Sequence, residues 1–147
     1  MQISGPEWDL ARWLLMHELD GPESTAALPE AAERVCQKLC QRLAALVTVA
    51  GSQALLGRAI YLATADSPFL VGVRVGNLQD ACLDGLSEHI QAREPGVAAH
   101  GLLTIVARLI GLLFTFIGED LAMRLMRDVW PGIPSIEADF SSGETTP

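Results

Sequence analysis

The sequence predicts an all-α fold, a compact array of about five helices around a long apolar helix at about residues 95–130. Apolar residues recur at intervals of three or four along most of the chain, the period of a helix with one buried face. Glycine and proline separate these runs. Residues 69–75 are the only stretch with strand character, and a lone strand lacks a partner. We therefore expect a short irregular segment at about 66–76.

The composition is that of a single soluble domain. The 147 residues are 50% hydrophobic and only 19% charged, so the chain must bury much apolar surface in a core, a partner or a bilayer. The first residues lack the basic and apolar regions of a signal peptide, and the three cysteines are an odd number. Both features predict a cytoplasmic protein with reduced thiols. Nine of the ten basic residues are arginine, a usage typical of GC-rich bacterial genomes.

The net charge of −8 is concentrated at the two ends of the chain. Residues 1–30 carry six acidic residues and one basic residue, residues 131–147 carry three acidic residues, and residues 31–130 carry nine of each. A neutral body lacks the basic surface that binds nucleic acid, so we expect no nucleic-acid partner. We divide the chain into an acidic N-terminal segment with one short helix at 1–27, a helical domain at 28–130 and a disordered acidic tail at 131–147.

Start and stop signals predict the first three helices. A proline suited to the first helical position opens a helix at residues 6–19, and a Gly-Pro pair follows it. The clearest apolar stripe, which includes Leu46, predicts a second helix at residues 29–50 that ends at a glycine. Ser52 is the predicted cap of a third helix at residues 53–65.

Two further helices are predicted in the second half of the chain. A capping-box pattern at residues 77–80 predicts a fourth helix at residues 78–93. A proline can open the last helix, which reaches Trp130 before Pro-Gly stops it. Gly111 and Gly118 are the positions at which so long a helix can kink.

The segment at residues 97–118 is apolar enough to span a membrane, since His100 and Arg108 are its only ionisable side chains. An arginine at mid-span and the absence of a positive-inside asymmetry favour a buried helix of a soluble protein. Membrane association is therefore not expected, although a membrane-embedded helix at 97–118 stays an alternative. A buried arginine needs an acidic partner. The candidates are Asp66, Asp84 and Glu88.

Two faces of the long helix are suited to packing. One is a stripe of small residues: Thr104, Ala107, Gly111, Thr115, Gly118 and Ala122. The other is a bulky face: Leu102, Val106, Leu109, Leu113 and Phe116. Small residues let another helix backbone approach closely. This arrangement predicts packing within the monomer and leaves a homodimer open as a second possibility.

The sequence contains no motif of a catalytic, metal or cofactor site. Cys36 and Cys40 share one helix face, but a closed zinc site needs four ligands, and Cys82 with a histidine would have to complete it. Buried apolar filler is the favoured interpretation of these cysteines. The three histidines lack a neighbouring nucleophile pattern. We predict that the protein is not an enzyme and uses no metal or cofactor.

The leading hypothesis is a non-enzymatic, self-associating interaction or scaffolding protein of a bacterial cytoplasmic complex or signalling pathway, whose protein partner the sequence does not identify. The residues expected to serve it are Arg108, Gly111, Thr115, Gly118, Glu119, Asp120, Arg124 and Trp130. The spacing of Asp120, Arg124 and Asp128 predicts either ion pairs along the helix or a polar rim for a partner. The alternative hypothesis is a small-ligand-binding regulator with an inter-helix pocket that uses Arg58 or Arg108.

Overall fold

The computed structural model of the chain describes residues 5–19, 28–76, 82–86 and 94–134. Five α-helices are fully described: α1 (Pro6–Glu18), α2 (Leu28–Leu46), α3 (Val49–Asp66), α4 (Pro95–Ile117) and α5 (Glu119–Val129). A 3₁₀ helix (Pro68–Gly72) follows α3, and two short strands, β1 (Arg74–Val75) and β2 (Leu83–Asp84), form an antiparallel ribbon. The predicted all-α class is confirmed.

Helix α4 lies at the centre of the array and packs against α1, α2, α3 and α5. Its side chains at Leu102, Ile105 and Leu109 are fully buried. Within the described residues, Gly96–Ile117 is long and apolar enough to cross a membrane by length and composition, with a mean hydropathy of 2.0. Since 56% of this window is buried inside the fold, the neighbouring helices cover much of it, as they do in the core helix of a soluble protein.

The long helix predicted at 95–130 is divided into two helices at Gly118. This residue has a φ of 89°, a left-handed conformation that glycine adopts without steric cost. The Gly118 N–H donates to the Phe114 carbonyl and closes α4, while the Gly118 carbonyl accepts from Ala122 and opens α5. The kink allowed at this position is therefore a complete break, and α5 becomes free to take its own direction.

The junction of α2 and α3 also differs from the prediction. Helix α2 ends at Leu46, and α3 begins at Val49 because Thr48 caps it: the Thr48 Oγ1 accepts a hydrogen bond from the Gly51 N–H at 2.9 Å. Ser52, the predicted cap, is buried instead, and its hydroxyl donates to the Cys40 carbonyl at 2.9 Å. The hydroxyl therefore joins α3 to α2.

The strand-like stretch does have a partner, which the sequence did not reveal. β1 pairs with β2, and the Gly76 N–H extends the ribbon by donating to the Cys82 carbonyl at 2.8 Å. The Gln37 side chain of α2 accepts from the Cys82 N–H and so anchors the ribbon. The helix predicted at residues 78–93 is thus wrong across β2, where backbone pairing holds the chain extended. The capping box at 77–80 lies outside the described residues.

Both ends of the described chain contribute to the core. In α1, Leu10 and Leu14 are fully buried, and this helix packs on α4 and α2. After α5, Ile133 is 5% exposed. The division of the chain into three segments stays a prediction, because residues 20–27 and 135–147 lie outside the described ranges.

Candidate interaction surface

A buried carboxylate joins three parts of the fold. The Glu18 side chain, 7% exposed, accepts hydrogen bonds from Arg34 Nε at 3.2 Å, Lys38 Nζ at 2.6 Å and Trp130 Nε1 at 2.8 Å. Burial opposes ionisation of this carboxyl, but the hydrogen bonds from Lys38, Trp130 and Arg34 outweigh it and lower its pKa. Trp130, predicted as an interaction residue, is therefore a buried anchor of the fold.

Contacts along α2 show how it lies beside α5. The Lys38 ammonium lies 5.9 Å from the centroid of the Trp130 ring, just past the end of α5. One turn further along α2, Arg42 pairs with Asp128 at 2.9 Å. The two helices thus run in opposite directions. One more turn brings α2 to its end at Leu46, while α5 approaches its beginning, so the α2–α3 turn lies towards the α4–α5 break.

At this end of the molecule several apolar side chains are exposed. We call them the corner surface. They are Leu46 (52% exposed), Val47 (37%), Val49 (55%), Phe116 (64%) and Leu121 (38%). The first three surround the turn between α2 and α3, and the other two lie on either side of the α4–α5 break. Exposed apolar side chains gathered at one end of a molecule mark sites of contact with other molecules when they form a continuous patch.

Five of the eight predicted interaction residues lie beside the corner surface. All five are exposed: Thr115, Gly118, Glu119, Asp120 and Arg124. The break at Gly118 brings them together, because it places the last turn of α4 and the first turns of α5 at one corner. These residues, predicted along one long helix that could kink at Gly118, thus lie on both sides of the break between α4 and α5.

The other predicted residues lie elsewhere. Arg108 pairs with Asp66 at 2.9 Å, one of its three candidate partners, and its Nε is buried without a hydrogen-bond partner in the described chain. Gly111 faces α1: the nearest atom to a methyl group placed there would be Glu7 Cγ at 3.8 Å. Arg58 is exposed, with its guanidinium 5.4 Å from the centroid of the Tyr61 ring.

The bulky face of the long helix is buried except at its end. Leu102, Val106, Leu109 and Leu113 are fully buried. Phe116 was expected to join them and instead is 64% exposed. It lies in the last turn of α4, where its neighbour Thr115 also reaches solvent. Phe116, Leu46, Val47 and Val49 are the residues that sequence reasoning missed, since helical periodicity alone does not show where a covering helix stops.

The charges next to the corner surface are largely unpaired. Asp128 bonds Arg42 rather than Arg124, so the ion pairs expected along α5 do not form as a ladder. Asp120, Arg124 and Arg127 make no ion pair with any described residue. Acidic and basic side chains thus remain available on one exposed helix face.

The three cysteines lie in the core and are free. A hydrogen bond with Cys82, together with burial, raises the pKa of Cys36, and burial raises the pKa of Cys40 to about 12. Because their pKa values are raised, these thiols stay protonated at neutral pH. Among the described residues, no group of three or more His, Cys, Asp or Glu is placed to hold a metal ion.

Comparison with protein-family models, curated proteins and solved structures finds no match to this chain. The function is therefore proposed from the corner surface and the charges beside it.

Proposed function

We propose that the protein is a non-enzymatic helical interaction protein that self-associates through the corner surface. The observation that supports this most is the 64% exposure of Phe116, beside the exposed Leu121. An aromatic side chain offers about 150–250 Å² of surface, so roughly 100–150 Å² of Phe116 faces water. Phenylalanine is enriched among the residues at protein interfaces.

Burying the corner surface would give an association of modest strength. The exposed fractions of its five side chains add up to about two and a half fully exposed side chains. Burying one such side chain contributes about 1.5–3 kcal/mol, so two copies together would gain roughly 10 kcal/mol. Association itself costs about 4–15 kcal/mol. We therefore expect concentration-dependent association with a Kd on the order of micromolar or weaker.

The two alternatives receive less support from the geometry. An inter-helix pocket would use Arg58 or Arg108, yet Arg108 is already paired with Asp66, and the exposed Arg58 guanidinium lies over the exposed Tyr61 ring. A membrane-embedded α4 would have to leave the four helices that pack on it. As part of the proposal we place the protein in a bacterial cytoplasmic complex, where buried free thiols persist.

The test is the oligomeric state of the full chain and of the Phe116→Ser variant. Sedimentation equilibrium from about 10 µM to 1 mM should show association of the wild type that weakens at least about tenfold in the variant. Val71→Ser is the matched control. Val71 is even more exposed, at 77%, but it lies past the far end of α3, about 25 Å along that helix from the corner surface.

We expect Val71→Ser to associate like the wild type. Circular dichroism should show both variants folded, because neither side chain belongs to the core. A wild type that remains a strict monomer at 1 mM contradicts the proposal, and so does equal weakening by the two substitutions.

A further inference from the structure

We infer that two copies pair across a two-fold axis with their α5 helices antiparallel, so that Asp120 of each copy faces Arg124 of the other. This inference rests on the proposed self-association and adds its geometry. Its basis is the order of unpaired charges along α5, together with the apolar side chain between them.

The exposed charges of α5 change sign along the helix. Glu119 and Asp120 lie in the first turn, and Arg124 and Arg127 lie in the following turns. Asp128, the remaining acid, is engaged with Arg42 of its own chain. Two parallel α5 helices in register would place like charges together, whereas two antiparallel helices place the acidic turn of one against the basic turns of the other.

The position of Leu121 selects the register. In a two-fold interface, residue i contacts residue j and residue j contacts residue i. With the axis level with Ala122, Asp120 lies opposite Arg124 twice, and the two Leu121 side chains lie within one residue of the axis. With the axis level with Arg124, the two Arg124 guanidiniums would face each other. Pairing Asp120 with Arg127 would also join opposite charges, but it would move the axis to between Met123 and Arg124, further from Leu121. Of these two registers of Asp120, the one centred at Ala122 brings the exposed Leu121 side chains closer together.

Charge reversal tests this register sharply. In D120R, positions 120 and 124 of each copy are both arginine, and in R124D both are aspartate. Either variant alone therefore brings like charges together at both contacts between positions 120 and 124. In a mixture, each contact joins an arginine to an aspartate. We expect at least about tenfold weaker self-association of each variant alone. The equimolar mixture and the double variant D120R/R124D should return to within about threefold of the wild type.

The measurement is sedimentation velocity of the full chain at about 50 mM salt, repeated at 0.5 M, where screening should shrink the differences. R127D mixed with D120R is the register control and should recover less than R124D does. Because these side chains are exposed, circular dichroism should show every variant folded. Greater recovery with R127D would overturn the Asp120–Arg124 register.

The outcomes separate this inference from the proposed function. If Phe116→Ser abolishes association, but neither the D120R and R124D mixture nor the double variant D120R/R124D associates as the wild type does, the two-fold register is overturned and the proposed function stands. If the wild type is monomeric, both are overturned. If the mixture forms a heterodimer that neither variant forms alone, the two-fold pairing is supported directly.

Discussion

Replacing Glu18 by glutamine should destabilise the fold by about 2 kcal/mol at pH 7. The carboxylate is 7% exposed, and its Oε2 accepts from both Lys38 Nζ and Trp130 Nε1. Glutamine has one acceptor oxygen where glutamate has two. One or more of the three donors (Arg34, Lys38 and Trp130) would therefore face the glutamine NH₂ group and lose its acceptor. Charge-assisted hydrogen bonds are roughly twice as strong as neutral ones, and a buried unsatisfied donor costs about 1–3 kcal/mol.

The partners of Glu18 set an upper limit on this effect. Removing one member of a fully buried ion pair costs about 3–5 kcal/mol. The side chains of Arg34 and Lys38, however, are 42% and 43% exposed, so water solvates them when the carboxylate is lost. Trp130 is 2% exposed, so water cannot replace the hydrogen bond that its Nε1 would lose. For a chain of this size we expect Tm to fall by about 5–8 °C.

The pH dependence follows from the direction of the pKa shift. The pKa of Glu18 is lowered in the folded protein from an ordinary value of 4.5. Its stabilisation is therefore fully present above that ordinary value and is lost as the pH falls through the lowered folded pKa. The difference in the free energy of unfolding between wild type and Glu18→Gln should be constant from about pH 5.5 to 7 and should shrink below about pH 4.5.

Urea denaturation at several pH values, followed by circular dichroism, measures this difference. Asp128→Asn is the matched control, because it removes an ion pair whose two side chains are 52% and 54% exposed and should cost less than about 1 kcal/mol. The reasoning is refuted if Glu18→Gln is as stable as Asp128→Asn at pH 7, or if its deficit is undiminished at pH 3.5.

Two further predictions concern the core. A methyl group on Gly101 would lie 2.6 Å from Phe69 Cζ, so Gly101→Ala should cost about 1–3 kcal/mol despite its helical position. Gly96→Ala, with nothing within 4 Å, should be neutral or stabilising by up to about 1 kcal/mol; equal urea midpoints for the two would contradict the close packing. Because the pKa values of Cys36 and Cys40 are raised, an aromatic disulfide reagent at pH 8 should react with them only in denaturant; rapid reaction of the native protein would contradict their burial.

Much of the helical framework follows from local patterns in the sequence. The bounds of α1 match the prediction at residues 6–19 to within a residue, because a proline start and an apolar stripe are signals within one segment. A predicted helix boundary was wrong where a second residue could also cap the helix: Thr48, and not Ser52, caps α3. The partner of β1 was missed because strand pairing joins segments that no local period connects.

The candidate surface was predictable only in part. The charged residues Glu119, Asp120 and Arg124 were expected either to pair along the helix or to form a polar rim, and they lie exposed at the corner. Phe116 was assigned to the buried face because its spacing from Leu113 and Leu109 is helical. Its exposure depends on where the other helices stop covering α4.

The sequence by itself determined the helical class, the apolar central helix and two glycines at which that helix could kink, since period, composition and backbone preference are local properties. The tertiary structure decided that it breaks at Gly118 and stays helical through Gly111. Only the tertiary structure decided that Glu18 would meet Arg34, Lys38 and Trp130, which lie 16, 20 and 112 residues away. Such partners depend on how whole helices pack, and no short stretch of sequence records that packing.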